Sequence, residues 1–168
     1  MATHSITQER LKSLLTYDPD TGKFCWRADC GARAKAGSAA GSRNSEGYVQ
    51  IQIGGKKHKA HRLAWLLTYG ETPPEIDHIN RVKHDNRLAN LRPATHAENG
   101  QNQNRPKNNT SGAIGVGFHK RSGKWRARIT RSGKLRDIGY FDTKEAATAA
   151  RKAAEAAFLP FRSSYADD

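Results

Sequence analysis

The sequence predicts an α+β fold built as two modules, and three observations carry that prediction. Residues 75–104 read as strand, loop, strand and helix around a set of polar side chains. Residues 114–158 read as three strands joined by two copies of one turn and followed by an alanine-rich helix. Between them, the stretch from Gly100 to Ser111 holds no large apolar side chain and cannot help to fill a core. The expected division is an N-terminal helix and strands over 1–58, a polar-site core over 59–104, a linker over 105–111 and a second domain over 112–168. A chain of 168 residues has room for two small cores rather than one large one.

Each element has a local reason. Ile6, Leu11, Leu14 and Leu15 recur at helical spacing, so residues 6–15 should form a short helix. Asp18, Pro19, Asp20 and Gly22 mark a turn, and Phe24-Cys25-Trp26 a short strand. Residues 31–47, rich in Gly, Ala and Ser, should be loop. Val49, Ile51 and Ile53 alternate with polar residues as in a half-buried strand. Gly54-Gly55 then turns the chain into a second strand, Lys56 to Ala60. His61 to Tyr69 reads as a helix ended by Gly70, with Pro73 and Pro74 beyond it. Further on, Glu75 to Ile79 and Asn90-Leu91-Arg92 read as strands, and Thr95 with Glu98 is a capping box that starts a helix. In the last third, Arg121-Ser122-Gly123-Lys124 returns ten residues later as Arg131-Ser132-Gly133-Lys134, each a hairpin turn. The strands are expected at about 114–120, 124–130 and 135–141. Trp125, Ala127 and Ile129 should share one face, and Lys124, Arg126, Arg128 and Thr130 the other. Asp142 with Glu145 signals a helix start, and the small side chains of Thr143 to Phe158 would let that helix lie close on the apolar face. The product is a small three-stranded antiparallel sheet with one packed helix and an open cationic face.

Charge narrows the function. Lys and Arg total 29 against 16 Asp and Glu, a formal net charge of +13, which points to a polyanionic partner. The excess is uneven: residues 106–141 alone carry +8, whereas 142–168 carry −1. Two cysteines make no disulfide framework. No apolar run reaches membrane-spanning length and the N-terminus has no signal-peptide core, so a reducing, cytoplasmic setting without membrane contact is expected.

Asp77-His78, then Asp85-Asn86-Arg87, then Asn90-Leu91, then Asn99 form an ordered set, with twelve residues from His78 to Asn90 and nine from Asn90 to Asn99. Together with Ala60-His61-Arg62-Leu63-Ala64-Trp65 upstream, this set resembles the HNH motif of phage and intron-type homing endonucleases, whose module is the ββα-metal fold. The resemblance implies metal-dependent hydrolysis of a DNA phosphodiester, leaving a 5′ phosphate and a 3′ hydroxyl. It implies that His78 is the general base, that Asn90 orients it, and that Asp77 and Asn99 hold one divalent cation. Two oxygen ligands leave most of the coordination sphere to water and phosphate, which suits Mg²⁺ or Mn²⁺. Asp85 and Asn86 are expected to shape the loop. Arg62, Arg81, Lys83 and Arg87 are candidate phosphate contacts, with helix-start packing an equal reading for Arg62. A structural zinc on Cys25, Cys30, His58 and His61 is not expected, because the His pair is spaced more closely than in zinc fingers.

In the last third, Ser111-Gly112, Gly115-Val116, Lys124-Trp125, Ile129, Ile138-Gly139-Tyr140-Phe141 and Glu145-Ala146-Ala147 resemble the AP-two/ERF DNA-binding domain of plant ethylene-responsive factors. The resemblance implies a sheet laid in the major groove of double-stranded DNA. His119, Lys124, Arg126, Arg128 and Thr130 would face the DNA, with Arg121, Arg131, Lys134 and Arg136 at phosphates or bases. Ile114 and Asp137 stand where that family has arginine and tryptophan, so its sequence preference does not transfer. Arg136 shares face parity with Ile138, which requires a bulge or an edge position. A phage-encoded chain would act in the bacterial host cytoplasm, and a monomer that nicks one strand is expected. The rival readings are a DNA-binding regulator with an inactive nuclease fold and an RNA-binding protein.

Overall fold

The computed structural model describes residues 6–32, 34–102, 109–131 and 133–158. Most of the expected linker, residues 105–108, and Ser132 of the second Ser-Gly turn lie outside the described residues. The chain divides into two compact units, Met1–Thr95 and His96–Asp168.

In the first unit, α1 (Gln8–Leu14) is capped by Thr7, whose Oγ1 accepts from the Arg10 amide at 3.2 Å. Leu15 does not continue the helix as expected. It opens β1 (Leu15–Tyr17), which pairs antiparallel with β2 (Phe24–Trp26), because Leu15 opposite Trp26 and Tyr17 opposite Phe24 put large apolar groups on one face. A second sheet has the order β3 (Ser42–Arg43), β4 (Val49–Ile53), β5 (Lys56–Lys59). The expectation of loop throughout 31–47 is corrected at Ser42-Arg43, which pairs with Val49 and Gln50 and satisfies the outer backbone edge of β4. Next, α2 (Ala60–Tyr69) buries Ala60, His61, Leu63 and Ala64 and ends at Gly70. Leu11, Leu15, Ile51 and Leu63 are the most completely buried large side chains. Each contributes roughly 1.5–3 kcal/mol by leaving water.

The polar site hangs from this core. β6 (Glu75–His78) pairs antiparallel with β7 (Leu91–Ala94), in a register that sets Asp77 opposite Arg92 and His78 opposite Leu91. Asn90 was expected to begin the second strand. Instead it ends a 3₁₀ turn, Leu88–Asn90, although its carbonyl still accepts from the Ile79 amide at 2.9 Å. Its side chain is required elsewhere, as described below.

The second unit begins with α3 (His96–Gln101), directly after Thr95. Its sheet has the order β10 (Lys134–Phe141), β9 (Lys124–Arg131), β8 (Val116–His119), all antiparallel. α4 (Lys144–Phe158) lies on one face, with Ala147 buried among Val116, Ala127, Trp125, Ile138 and Phe141. Thr143 rather than Asp142 caps α4, its Oγ1 accepting from the Ala146 amide at 3.2 Å. Gly115 has φ +71° and no room for a side chain: a Cβ there would lie 2.4 Å from the Arg128 carbonyl oxygen. A bulge is present, since the register shifts between Asp137 and Gly139, but it follows Arg136, which stays opposite Ile129 on the helix side.

Candidate active site and candidate nucleic-acid face

Asp77 and His78 close β6 with their side chains buried, at 6% and 5% exposure. A buried carboxylate must be paired. Arg92, directly across the ladder, supplies the pair: its Nε and Nη2 both donate to Asp77 Oδ2, at 2.9 and 2.7 Å. The strand register therefore fixes the plane of the carboxylate.

His78 Nε2 lies 3.4 Å from Asn86 Oδ1. The Asn86 amide nitrogen donates to the His84 carbonyl at 3.2 Å, and that bond turns Oδ1 toward the imidazole. An acceptor facing Nε2 favours the tautomer with the proton on Nε2 and the lone pair on Nδ1. Burial pushes the His78 pKa below the ordinary imidazole value, against the opposing pull of the Asn86 hydrogen bond and the Asp77 charge. The ring is thus held neutral near pH 7, the form a general base needs.

Asn90 does not reach His78 in the way expected. Its Oδ1 accepts from the Asn80 amide at 2.9 Å and its Nδ2 donates to the Asp85 carbonyl at 2.8 Å. It staples both ends of the loop that carries Asn86, so its effect on His78 is indirect. Asp85 reinforces the loop by accepting from Asn80 Nδ2 and from Arg87 through both carboxylate oxygens. Those bonds, Arg87 foremost, hold its pKa down at about 2.

His61 reaches the site from the first turn of α2. Its ring meets that of His78 edge-on at 4.9 Å, and Tyr48 lies 5.5 and 6.0 Å from the two imidazoles. Burial lowers the His61 pKa to about 3. Lys59 and Lys83 hold their ammonium groups 4.3 and 4.9 Å from the Tyr48 ring centroid, which brings two cations to the edge of the cluster.

The N-terminal turn supports the loop from behind. Tyr17 donates its hydroxyl to the Asn86 carbonyl at 2.8 Å, and the Leu88 amide donates to the Pro19 carbonyl at 2.9 Å. Gly22, at φ +70°, approaches so closely that a Cβ would sit 2.5 Å from the backbone of Asn86 and Arg87.

The other candidates divide by their contacts. Arg62 donates to the Pro74 carbonyl and to Thr72 Oγ1, both at 3.2 Å, and so ties down the turn after α2. Arg87 is committed to Asp85. Arg81 stands at φ 62° at the head of the loop. Lys83 also donates to the Glu46 carbonyl. Asn99 stands on α3, in the second unit. Cys25 is half-buried on β2 and Cys30 exposed. Among the described residues no three His, Cys, Asp or Glu side chains gather as a metal-binding cluster. The donor at hand is the hard oxygen of Asp77, which fits an ion that keeps water and phosphate as its other ligands.

On the sheet of the second unit, Lys124, Arg126, Arg128 and Thr130 face away from α4, as expected. Lys124 pairs with Asp142 at 3.0 Å, and Arg126 with Asp137. His119 Nδ1 lies 2.9 Å from Ser122 Oγ. Arg121 is exposed in the first turn. Three expected contacts lie on the other side: Arg131 and Arg136 share the parity of Ile129, with Lys134 paired to Arg131. The Arg131 guanidinium packs 4.6 Å from the Phe158 ring of α4. The alternation that places Arg126 outward places Arg131 inward.

Reading the sequence missed Asn86 as the partner of His78, Arg92 as the partner of Asp77, and the Tyr48–His61 wall. Arg92 was accessible in principle, since pairing His78 with Leu91 sets 77 against 92; His61 stood in the upstream segment of the resemblance without a role, and Tyr48 carried no signal.

Residues 58–101 match the family described as HNH endonuclease. Protein 3.8 of Escherichia phage T7 is 35% identical over 92 residues, a span covering 54% of this chain and 76% of that protein. No solved structure matches the chain significantly. Among the described residues no helix is long and apolar enough to cross a membrane. The motif order and the buried Asp77–His78 pair fall inside the matched segment, and one conclusion follows: the chain carries an HNH endonuclease domain at residues 58–101 and is a relative of the phage protein.

Proposed function

We propose that this chain is a metal-dependent DNA endonuclease of the homing type, with a ββα-metal site in residues 59–104 and a DNA-reading domain of AP-two/ERF type in residues 112–168. The observation that supports the chemistry best is the pair of anchors on adjacent residues, Arg92 on Asp77 and Asn86 on His78, within the HNH-matched segment. Asp77 would hold one divalent cation, Mg²⁺ or Mn²⁺, with Asn99 as the second protein ligand by the order of the motif. When bound, that ion would polarise the scissile phosphate and stabilise the departing 3′ oxygen.

His78 Nδ1 takes a proton from water as the water oxygen attacks phosphorus. The bond from phosphorus to the 3′ oxygen breaks, and that oxygen takes a proton from solvent water, leaving a 5′ phosphate and a 3′ hydroxyl. Asn86 keeps the proton on Nε2 and the ring in plane, while Asn90 holds the loop that presents Asn86. Lys59 and Lys83 supply positive charge beside this wall for the flanking phosphates. The cationic sheet would bring double-stranded DNA to the cutter, and linking two modest contacts raises the effective affinity of both.

Supercoiled plasmid with Mg²⁺ is the direct test. Wild type should convert it to the nicked form, and His78→Ala should be slower by roughly a thousandfold, within the range for loss of a general base. Equal behaviour of the two proteins would turn the reading toward a DNA-binding regulator with an inactive nuclease fold.

A further inference from the structure

One arginine on the cationic face of the second unit is held in a fixed orientation. In a regular strand Asp137 and Tyr140, three residues apart, would point to opposite faces. The bulge at Ile138 reverses the alternation between them: Asp137 lies opposite Arg128 and Tyr140 opposite Arg126, all on the face away from α4. Arg126 Nε donates to Asp137 Oδ1 at 2.6 Å and its Nη2 to Oδ2 at 2.8 Å. Its guanidinium carbon sits 5.6 Å from the Tyr140 ring centroid, and that ring meets His119 at 5.2 Å. Carboxylate and ring together set both the direction and the plane of the guanidinium.

Two consequences separate this arginine from its neighbours. Paired to a carboxylate, it adds no net charge to the face, so attraction of phosphate is not its use. With the Nε–Nη2 edge occupied, the opposite Nη1–Nη2 edge remains as two parallel donors, and Nη1 has no partner among the described residues. Two parallel guanidinium donors match O6 and N7 of guanine in the major groove. The pair stays accessible, with 29% of the Arg126 side chain and 45% of the Asp137 side chain exposed.

We propose that Asp137 is a positioning residue for base recognition: it orients Arg126 so that the free guanidinium edge reads one guanine in duplex DNA. This rests on the second unit being a duplex-DNA reader, and it gives that reader a determinant of its own at the position where the AP-two/ERF resemblance breaks down.

Selection from a random duplex pool tests it, using the full chain in chelator so that metal-dependent cutting is stopped. Wild type should enrich a site with an obligatory guanine. Asp137→Ala should lower preference for that guanine by about tenfold. It should also raise affinity for unselected duplex, since a carboxylate leaves a cationic face. Arg126→Lys should lose the same guanine, because an ammonium cannot fork. Asp137→Glu should restore part of the preference. A merely structural ion pair would alter none of these preferences, and an exposed pair adds little to stability. An unchanged guanine preference in Asp137→Ala, or a wild-type site without guanine, would overturn the proposal while leaving DNA binding intact. Failure to bind duplex at all, or binding indifferent to salt, would instead remove the DNA-reader assignment and this inference with it.

Discussion

The candidate sites of the two units handle polar side chains in opposite ways. The first buries them: Asp77, His78, Asn86, Asn90 and His61 are all less than a tenth exposed. The second displays them, with Lys124–Asp142 and Arg126–Asp137 on an open sheet face. Burial makes each hydrogen bond strong, and each omission costly, which suits a site that must hold one proton on one nitrogen. Exposure leaves charges screened and adjustable, which suits the proposed DNA-reading surface. The contrast teaches that the two halves should fail differently under mutation, pH and salt.

The largest effect should come from Asp77→Asn, which weakens the proposed metal ligand and unbalances Arg92. Mg²⁺-dependent nicking in single turnover should fall on the order of a thousandfold. A rate within tenfold of wild type would detach Asp77 from the chemistry. Next is Ile51→Ala, which empties part of the first unit's core and should cost about 2–5 kcal/mol in denaturant unfolding. A smaller loss would mean that the cavity collapses. Gly22→Ala should cost about 1–3 kcal/mol for its left-handed backbone. Because the new Cβ presses on Asn86, nicking should fall by more than the folded fraction does.

The pH response comes next. The unfolded chain protonates His61 near pH 6.5, its ordinary value, whereas burial delays protonation of the folded chain to about pH 3. The unfolded state therefore binds more protons between these values. The contribution is full above about pH 6.5 and is lost as pH falls, by at most about 1.4 kcal/mol per pH unit. His61→Phe should flatten that slope; an equal slope would mean that other groups carry it. Smallest is Arg128→Ala on the open sheet, which should reduce the slope of log binding against log salt by about one and weaken all duplexes alike. Loss confined to one sequence would make Arg128 a base reader and blur its distinction from Arg126.

Much of this was legible in the sequence because it depends on local pattern. Alternation at Val49, Ile51 and Ile53, the repeated turn at Arg121 and the alanines of α4 each act within a few residues, and each element formed where they said. The ordered set from Asp77 to Asn90 falls within the segment that matches the HNH family. What stayed hidden depends on how distant segments dock. Asn86 could be read as turn chemistry until Tyr17 and His84 were seen to fix its backbone and its amide. Asn90 was assigned to His78, but its amide is consumed by Asn80 and Asp85. Alternation placed Arg126 and Arg128 correctly; the same rule applied to Arg131 and Arg136 shows that they belong with the helix side.

The support that the Asp18–Gly22 turn gives to the Asn86 loop bears on transplantation. Residues 58–101 carry the recognisable motif, yet Tyr17, Pro19 and Gly22, which seat Asn86 and Leu88, lie well upstream. A graft of the motif onto a foreign scaffold would carry the proposed base, His78, without its seat. The smallest autonomous form of the proposed nuclease must therefore begin before Leu15, and any split or inducible version should be divided downstream of Gln101, where it leaves the strand pair, its N-terminal brace and the whole HNH-matched segment in one piece.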